Sequence, residues 1–377
     1  MRRAALVGLI TLLWLVSLAQ PASAHTVSGV GATNWKTSII GLSRPVPGLS
    51  VRVIEDGSRL ELTNHGPEVV VLGYDGEPYL RVGPHGVFEN TLSPATYLNC
   101  SRKGCPISPV ATAEAPPQWK QISSGQTVRW HDHRTHWMGG QPPPDVRRAP
   151  GQVHHRPPWT VSLVQGDTHI ALTGRLTWVP GQSPGSWLLL ALGLAVVAAA
   201  LGVFGYWGLP LAVLVAVLTI NDFYHAVGIA WSFGGGFWTK VGKLFSGSFY
   251  STIGWMLGVV AVWLLARRRI DGLYAAVFAG ISAALFTGLL DITVLSRSQA
   301  PFDGLIGVDQ LTVAVSLGLG TGVAVAAFVA LRRLPRDTDA DDHELGDELV
   351  GGEPADEAAD ESVGTPLGPG SDVVSST

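Results

Sequence analysis

Two hydrophobic patterns divide this chain. From His25 to about Gly185, apolar and polar residues alternate in short runs such as "LSVRVIEDGSRLELTNHGPEVVVLGY", "QTVRWHDH" and "WTVSLVQGDTHIALTGRLTWVP". A period of two in branched and aromatic residues, punctuated by "EDG", "NHGP", "YDGEP" and "VPG", predicts strands and turns. Several such strands over this length predict an all-β, sandwich-like domain. The stretch from Ser93 to Thr127 has weaker periodicity and reads as loop-rich. "GQPPPDVRRAPGQVHHRPP" reads as an extended surface connection, since each proline removes an amide donor.

From Trp187 the alternation gives way to long apolar runs. "WLLLALGLAVVAAALGVFGYW" is long enough to span a bilayer, which needs about 20 apolar residues. Four more candidates run approximately Leu209 to Trp231, Tyr250 to Ala266, Gly272 to Leu295 and Leu311 to Leu331. The prediction is a multidomain membrane protein whose β domain is followed by an α-helical bundle of about five transmembrane helices. The N-terminus adds a shorter apolar run, "AALVGLITLLWLVSLA", behind "MRR" and ahead of "ASA". That order fits a signal peptide over residues 1–24, cleaved to leave His25 first. The expected divisions are therefore 1–24, an extracytoplasmic domain at 25–185, a membrane domain at 186–333 and a tail at 334–377.

An exported β domain fixes the direction of every helix. It places Arg267, Arg268 and Arg269, and then Arg332, Arg333 and Arg336, on the cytoplasmic side, as the positive-inside rule requires. Lys240, Lys243 and Arg297 fall on the other side as a minority. Gly318, Gly320 and Gly322 predict close helix packing in the last span. The formal net charge of -4 conceals a contrast between segments, because 13 of the 29 acidic residues follow Pro335. A tail so acidic and so poor in apolar residues is expected to be disordered and cytoplasmic. No nucleic-acid-binding pattern accompanies it.

Candidate chemistry concentrates in the β domain. Its two cysteines, Cys100 and Cys105, read as a local disulfide in an oxidising compartment, with a soft-metal pair as the alternative. "RWHDHRTHWMGG" gathers His131, His133 and His136 within six residues and adds Met138. On an extended strand His131 and His133 share a face, and a turn near Thr135 brings His136 and Met138 back toward it. A mature N-terminal His25 offers both an amine and an imidazole nitrogen. Such nitrogen donors suit a transition metal, copper above all. Two other readings stand beside this one. Asp132 and Arg134 form a buried pair with the histidines as structural polar groups, or the cluster titrates near neutral pH as a proton-sensitive or catalytic surface. His154 and His155, in a proline-rich loop, are weaker candidates, and His65, His85 and His169 are isolated. No GxSxG motif occurs, and Asp75 with Glu77 in "GYDGEP" reads as a turn, so the chain reads as a binding protein more than an enzyme.

Ionisable residues inside a span are costly and raise a functional question by default. "LTINDFYHAVGIAW" puts Asp222 and His225 on one helical face, and Asp291 comes to a similar depth near the end of the fourth span. Metal acceptance, proton movement and a structural Asp–His pair are all compatible with that placement. "GEPYLRVGPHGVFENTLSPATYLN" followed by "WHDHRTHWM" resembles a group of uncharacterised envelope proteins of high-GC Gram-positive bacteria, and implies the same domain-plus-helices plan. A looser similarity, in His25 and domain order, is to copper-resistance proteins that join a secreted β-sandwich to membrane helices. It implies a copper ion as ligand. The rival expectation is an envelope interaction protein whose sandwich binds a protein or cell-wall partner.

Overall fold

The computed structural model describes residues 31–101, 104–205, 207–247 and 249–334. The expected signal segment, His25 and the acidic tail beyond 334 lie outside the described residues. Alternation in the first part of the chain resolves into eleven strands. They are β1 (Trp35–Leu42), β2 (Leu49–Ile54), β3 (Arg59–Asn64), β4 (Val69–Leu72), β5 (Pro78–Gly83), β6 (Gly86–Asn90), β7 (Trp119–Ser123), β8 (Thr127–His131), β9 (His154–His155), β10 (Trp159–Gln165) and β11 (Thr168–Trp178). One antiparallel sheet runs β1-β11-β10-β4-β5-β6-β7, with β9 added on β11, and a second runs β2-β3-β8. Leu60, Leu62, Val128 and Trp130 of the small sheet pack with Val71, Val82, Leu163 and Leu172 of the large one. Burying these side chains between two sheets is what the period of two requires, because each strand has one apolar face to hide.

The alternation has one informative exception. Glu61 points away from the sandwich core, yet it is only 6% exposed. Its neighbours across the strands are Arg52 on β2 and Arg129 on β8, whose Nε atoms each donate to it at 2.5 Å. This three-strand charge ladder lies against Gly234, where an added Cβ would come within 2.5 Å of Arg129 Nε and 2.8 Å of Glu61 Oε2. The outer face of the small sheet is thus seated on the helical part of the chain.

Two expected loops contain order. In the first, Pro94–Leu98 forms a short helix α1, capped by Ser93 accepting from the Ala95 amide at 3.2 Å, and β7 pairs with β6. In the second, the expected extended connection is corrected by a helical turn α2 at Pro144–Arg148 and by β9. Proline is compatible with the first turn of a helix because that position needs no amide donor.

Among the described residues, five helices are long and apolar enough to cross a membrane: α3 (Gly185–Val203), α4 (Leu209–Ser232), α6 (Phe249–Ala266), the Asp271–Leu289 segment beginning with α7 (Asp271–Ser282), and α8 (Ile306–Arg333). Between α4 and α6 lies α5 (Phe237–Gly247), an amphipathic helix that the span pattern did not show. It buries Leu244 and exposes Phe237 and Trp238. Aromatic residues on such a helix suit the membrane–water boundary. The fourth span is not one α-helix to Leu295, as its hydropathy predicted. It widens to a π-helix at Ala283–Leu289 and ends in a 3-10 turn at Ile292–Ser296.

Small residues set the bundle's closest contacts. A Cβ on Gly318 would stand 2.2 Å from the Ala191 carbonyl oxygen, and one on Gly322 would stand 2.6 Å from that of Ala195. Backbone therefore meets backbone along α3 and α8, which apolar lipid alone cannot drive and close packing can. Gly318→Val is expected to separate these helices at a cost of about 2 kcal/mol. Thermal unfolding of the full-length protein in detergent would then fall by several degrees, whereas Gly193→Val, at an open position on α3, should leave it unchanged.

Candidate functional site

β8 ends at His131, earlier than the alternation alone suggests, and the chain turns over Asp132–His136. Asp132 causes the turn. Its side chain is fully buried and accepts from Trp130 Nε1 at 2.9 Å, the Arg134 amide at 3.1 Å, and Arg134 Nε and Nη2 at 2.8 Å each. Arg134 also lies 4.7 Å over the Tyr74 ring, and Tyr74 Oη accepts the His133 amide at 3.0 Å. Thr135 Oγ1 donates to the Gly57 carbonyl at 2.9 Å, and the Thr135 carbonyl accepts from Thr37. Just beyond, Trp137 stacks on Trp35 with ring centroids 5.2 Å apart, which fixes the exit of the turn.

This scaffold gathers the three histidines. Ring centroids are 4.5 Å apart for His131 and His136, 5.2 Å for His131 and His133, and 5.7 Å for His133 and His136. His131 and His136 are buried and His133 is half-buried. The expected Asp132–Arg134 pair and the expected histidine cluster are therefore both present, one holding the other. Met138 is 49% exposed. His25 lies outside the described residues. Among those described, no group of three or more His, Cys, Asp or Glu side chains holds its donor atoms converged, as they stand, on a metal position.

The surroundings bear on what could reach the rings. His131 also lines an open cleft of ≈ 540 Å³ together with Arg59, Tyr79, Glu89, Asn99 and Arg129. Cys100 and Cys105 line it too, joined in the expected disulfide with Cα atoms 6.0 Å apart. Burial raises the Glu89 carboxyl above its usual range against the opposing pull of Lys120. Three other histidines hold hydrogen bonds of their own away from the cluster. His154 Nε2 meets the Ala149 carbonyl at 2.8 Å, His155 Nδ1 meets Thr177 Oγ1 at 3.1 Å, and His65 Nδ1 meets Gln126 Oε1 at 2.7 Å. Glu77 receives the Asp75 amide at 3.0 Å and Ser93 Oγ at 2.8 Å, so "GYDGEP" is a turn.

Next to Gly57, whose carbonyl accepts from Thr135 of the turn, Asp56 stands in left-handed backbone at φ 50°, with its Oδ2 buried and accepting no hydrogen bond. Burial pushes its carboxyl up to about 7 from the ordinary 3.8. Because the folded state holds this proton more tightly, the associated stability is fully present below the unfolded pKa and is lost as pH rises through about 7. Unfolding of the β domain in the full-length protein should therefore become easier between about pH 4 and pH 7. Asp56→Asn is expected to flatten that dependence and raise stability above neutrality, as denaturant titrations across that range would show.

The membrane residues also converge. His225, 1% exposed, lies between two carboxylates: its Nε2 is 3.1 Å from Asp291 Oδ2 and its Nδ1 is 3.1 Å from Asp309 Oδ1. Nδ1 is also 3.0 Å from Thr312 Oγ1. Asp222, one turn earlier on α4, accepts Trp255 Nε1 at 2.8 Å and the Thr287 hydroxyl. The π-helical widening carries Thr287, and such widenings are frequent at functional sites. Asp309 escaped the sequence reading because it sits in the first turn of α8, ahead of the apolar run that marked the span. Three independent comparisons complete the description: no family model, no curated protein and no solved structure matches the chain.

Proposed function

We propose that this multi-pass membrane protein carries an extracytoplasmic β-sandwich that binds a transition metal, copper in particular, through His131, His133 and His136. The observation that carries the reading is the spacing of the three rings. With metal–nitrogen bonds of about 2 Å and about 1.1 Å more to each ring centre, imidazoles at tetrahedral angles have centroids roughly 5 Å apart. The observed separations of 4.5, 5.2 and 5.7 Å bracket that value. Ring rotation about χ2 is then what converges the nitrogens, with the backbone left in place. Imidazole donors suit copper and zinc, and copper(II) leads the divalent affinity order.

His25 fits as a further nitrogen donor if the signal segment is removed behind Ala24. Met138, exposed beside the turn, fits a soft ligand for Cu(I) after a rotamer change. The Asp132–Arg134 network favours a second reading, in which the turn is a structural knot on a face that binds an envelope partner. The two are separated by copper and zinc content of full-length protein bearing an authentic His25 terminus, against the same chain with an alanine extension. Metal near one equivalent in the authentic protein supports the proposal, and equal loading of both forms assigns the site to the turn alone. Metal at background in both forms would leave the partner-binding reading.

A further inference from the structure

The membrane bundle carries a second arrangement, independent of whether metal binds above it. Four groups that can gain or lose a proton, Asp222, His225, Asp291 and Asp309, are gathered in apolar surroundings where each is expensive. His225 presents one ring nitrogen to each of two carboxylates, which is the geometry for accepting a proton on one side and releasing one on the other. Thr312 Oγ1 donates to the Asp309 carbonyl at 2.7 Å, so it receives from His225 Nδ1 instead of giving to it. Asp309 Oδ1 is buried and lies 3.1 Å from that same nitrogen, close enough to take its proton. The Asp291 side chain is 16% exposed, whereas those of His225 and Asp309 are buried at 1% and 2%.

We propose that Asp291, His225 and Asp309 form a proton-binding relay opening toward the end of the bundle that carries the β domain. Asp291, protonated from solvent, gives its proton to His225 Nε2 as the Nδ1 proton leaves for Asp309 Oδ1. One proton has then moved inward, and the imidazole is left neutral in its other tautomer. Asp222, with Trp255 and Thr287, lies one helical turn deeper. Other charged groups facing this end are Arg297, whose carbonyl accepts from Gln310, Asp303, whose amide donates to the Gly228 carbonyl, and Lys240 and Lys243 over Trp231 and Phe233.

The site lies under a joint. The loop that follows Asp291 meets the β domain through paired backbone bonds between Thr33 and Gln299, through Ser298 to Asn34, and through Ser298 Oγ to the Val179 carbonyl.

Infrared difference spectroscopy of the full-length protein in lipid nanodiscs, alternated between mildly acidic and mildly alkaline buffer, tests the relay. The expected spectrum holds a protonated-carboxyl band in acid, lost in Asp309→Asn, and a histidine ring change lost in His225→Gln. Asp303→Asn, in the exposed loop, should leave both signals. If Asp309→Asn does not accumulate, Asp291→Asn at the rim should shift the band and remove the ring change. A wild-type spectrum without a protonated-carboxyl band, or one that survives substitution at Asp309 or Asp291 unaltered, would overturn the proposal.

Discussion

Replacing His131, His133 and His136 together by glutamine is expected to reduce copper bound by the full-length protein from about one per chain to background, with the β domain still folded. Glutamine keeps much of the bulk and a hydrogen-bonding tip but lacks an imidazole nitrogen, so ligand chemistry is removed with limited damage to packing. Single substitutions should be graded. His133 is the most accessible of the three, and His133→Gln should leave a site of fewer nitrogens that releases copper at lower chelator concentration. His131 and His136 are 5% and 9% exposed, so their replacement should weaken both metal binding and local stability. Equilibrium dialysis with a chromogenic chelator, paired with circular dichroism, separates those effects. Retention of full copper loading by the triple variant would remove these histidines from the account.

The largest effect on stability is expected from Asp132→Ala. Four polar groups converge on the Asp132 carboxylate, from Trp130 and from the amide and guanidinium of Arg134. Arg134 retains some contact with water, its side chain being 19% exposed, so the cost lies at the lower end of that for breaking a buried ion pair, about 3 kcal/mol. The loss should appear as a lower denaturant midpoint for the β domain and as weaker copper binding, because the turn that gathers the rings is gone. Asp132→Asn, which still accepts hydrogen bonds, should lie between the alanine variant and the wild type. Replacing Asp132 and Arg134 together should recover part of the stability without restoring the turn, since no unpaired charge then remains buried.

These two results would probe features that differ in how plainly they are written in the chain. The two-layer β domain and the five apolar helices follow from periodicity, because a strand face and a lipid-facing helix must each repeat an apolar residue at a fixed interval. Glu61 shows where periodicity stops. Its outward position is legible, but its burial depends on Arg52, Arg129 and Gly234, and Gly234 belongs to a distant part of the sequence. α5 was missed for a related reason, since 11 residues with two lysines leave no long apolar run. The histidine cluster was visible as spacing. That the rings would meet depended on β8 ending at His131, which the Asp132 network enforces and an alternating pattern cannot express.

In the membrane, helical spacing put Asp222 and His225 on one face and the order of the spans brought Asp291 to a similar depth, but Asp309 was not singled out. The carboxylates flanking His225 come from Asp291 and Asp309, 66 and 84 positions away, brought in by a fourth span that abandons α-helical geometry. Hydropathy reports apolar length and says nothing of a π-helical widening, so neither Thr287 nor Asp309 had a signal stronger than a polar residue near a helix end.

The central claim is that His131, His133 and His136 act as one nitrogen-donor site. Pulsed electron paramagnetic resonance of the full-length protein in nanodiscs, loaded with one equivalent of Cu(II), tests it most directly. The expected spectrum carries modulations from the remote nitrogens of more than one imidazole, reduced in depth by His133→Gln and abolished by the triple variant. A spectrum with oxygen ligands alone, or imidazole modulations that persist unchanged in the triple variant, would contradict it.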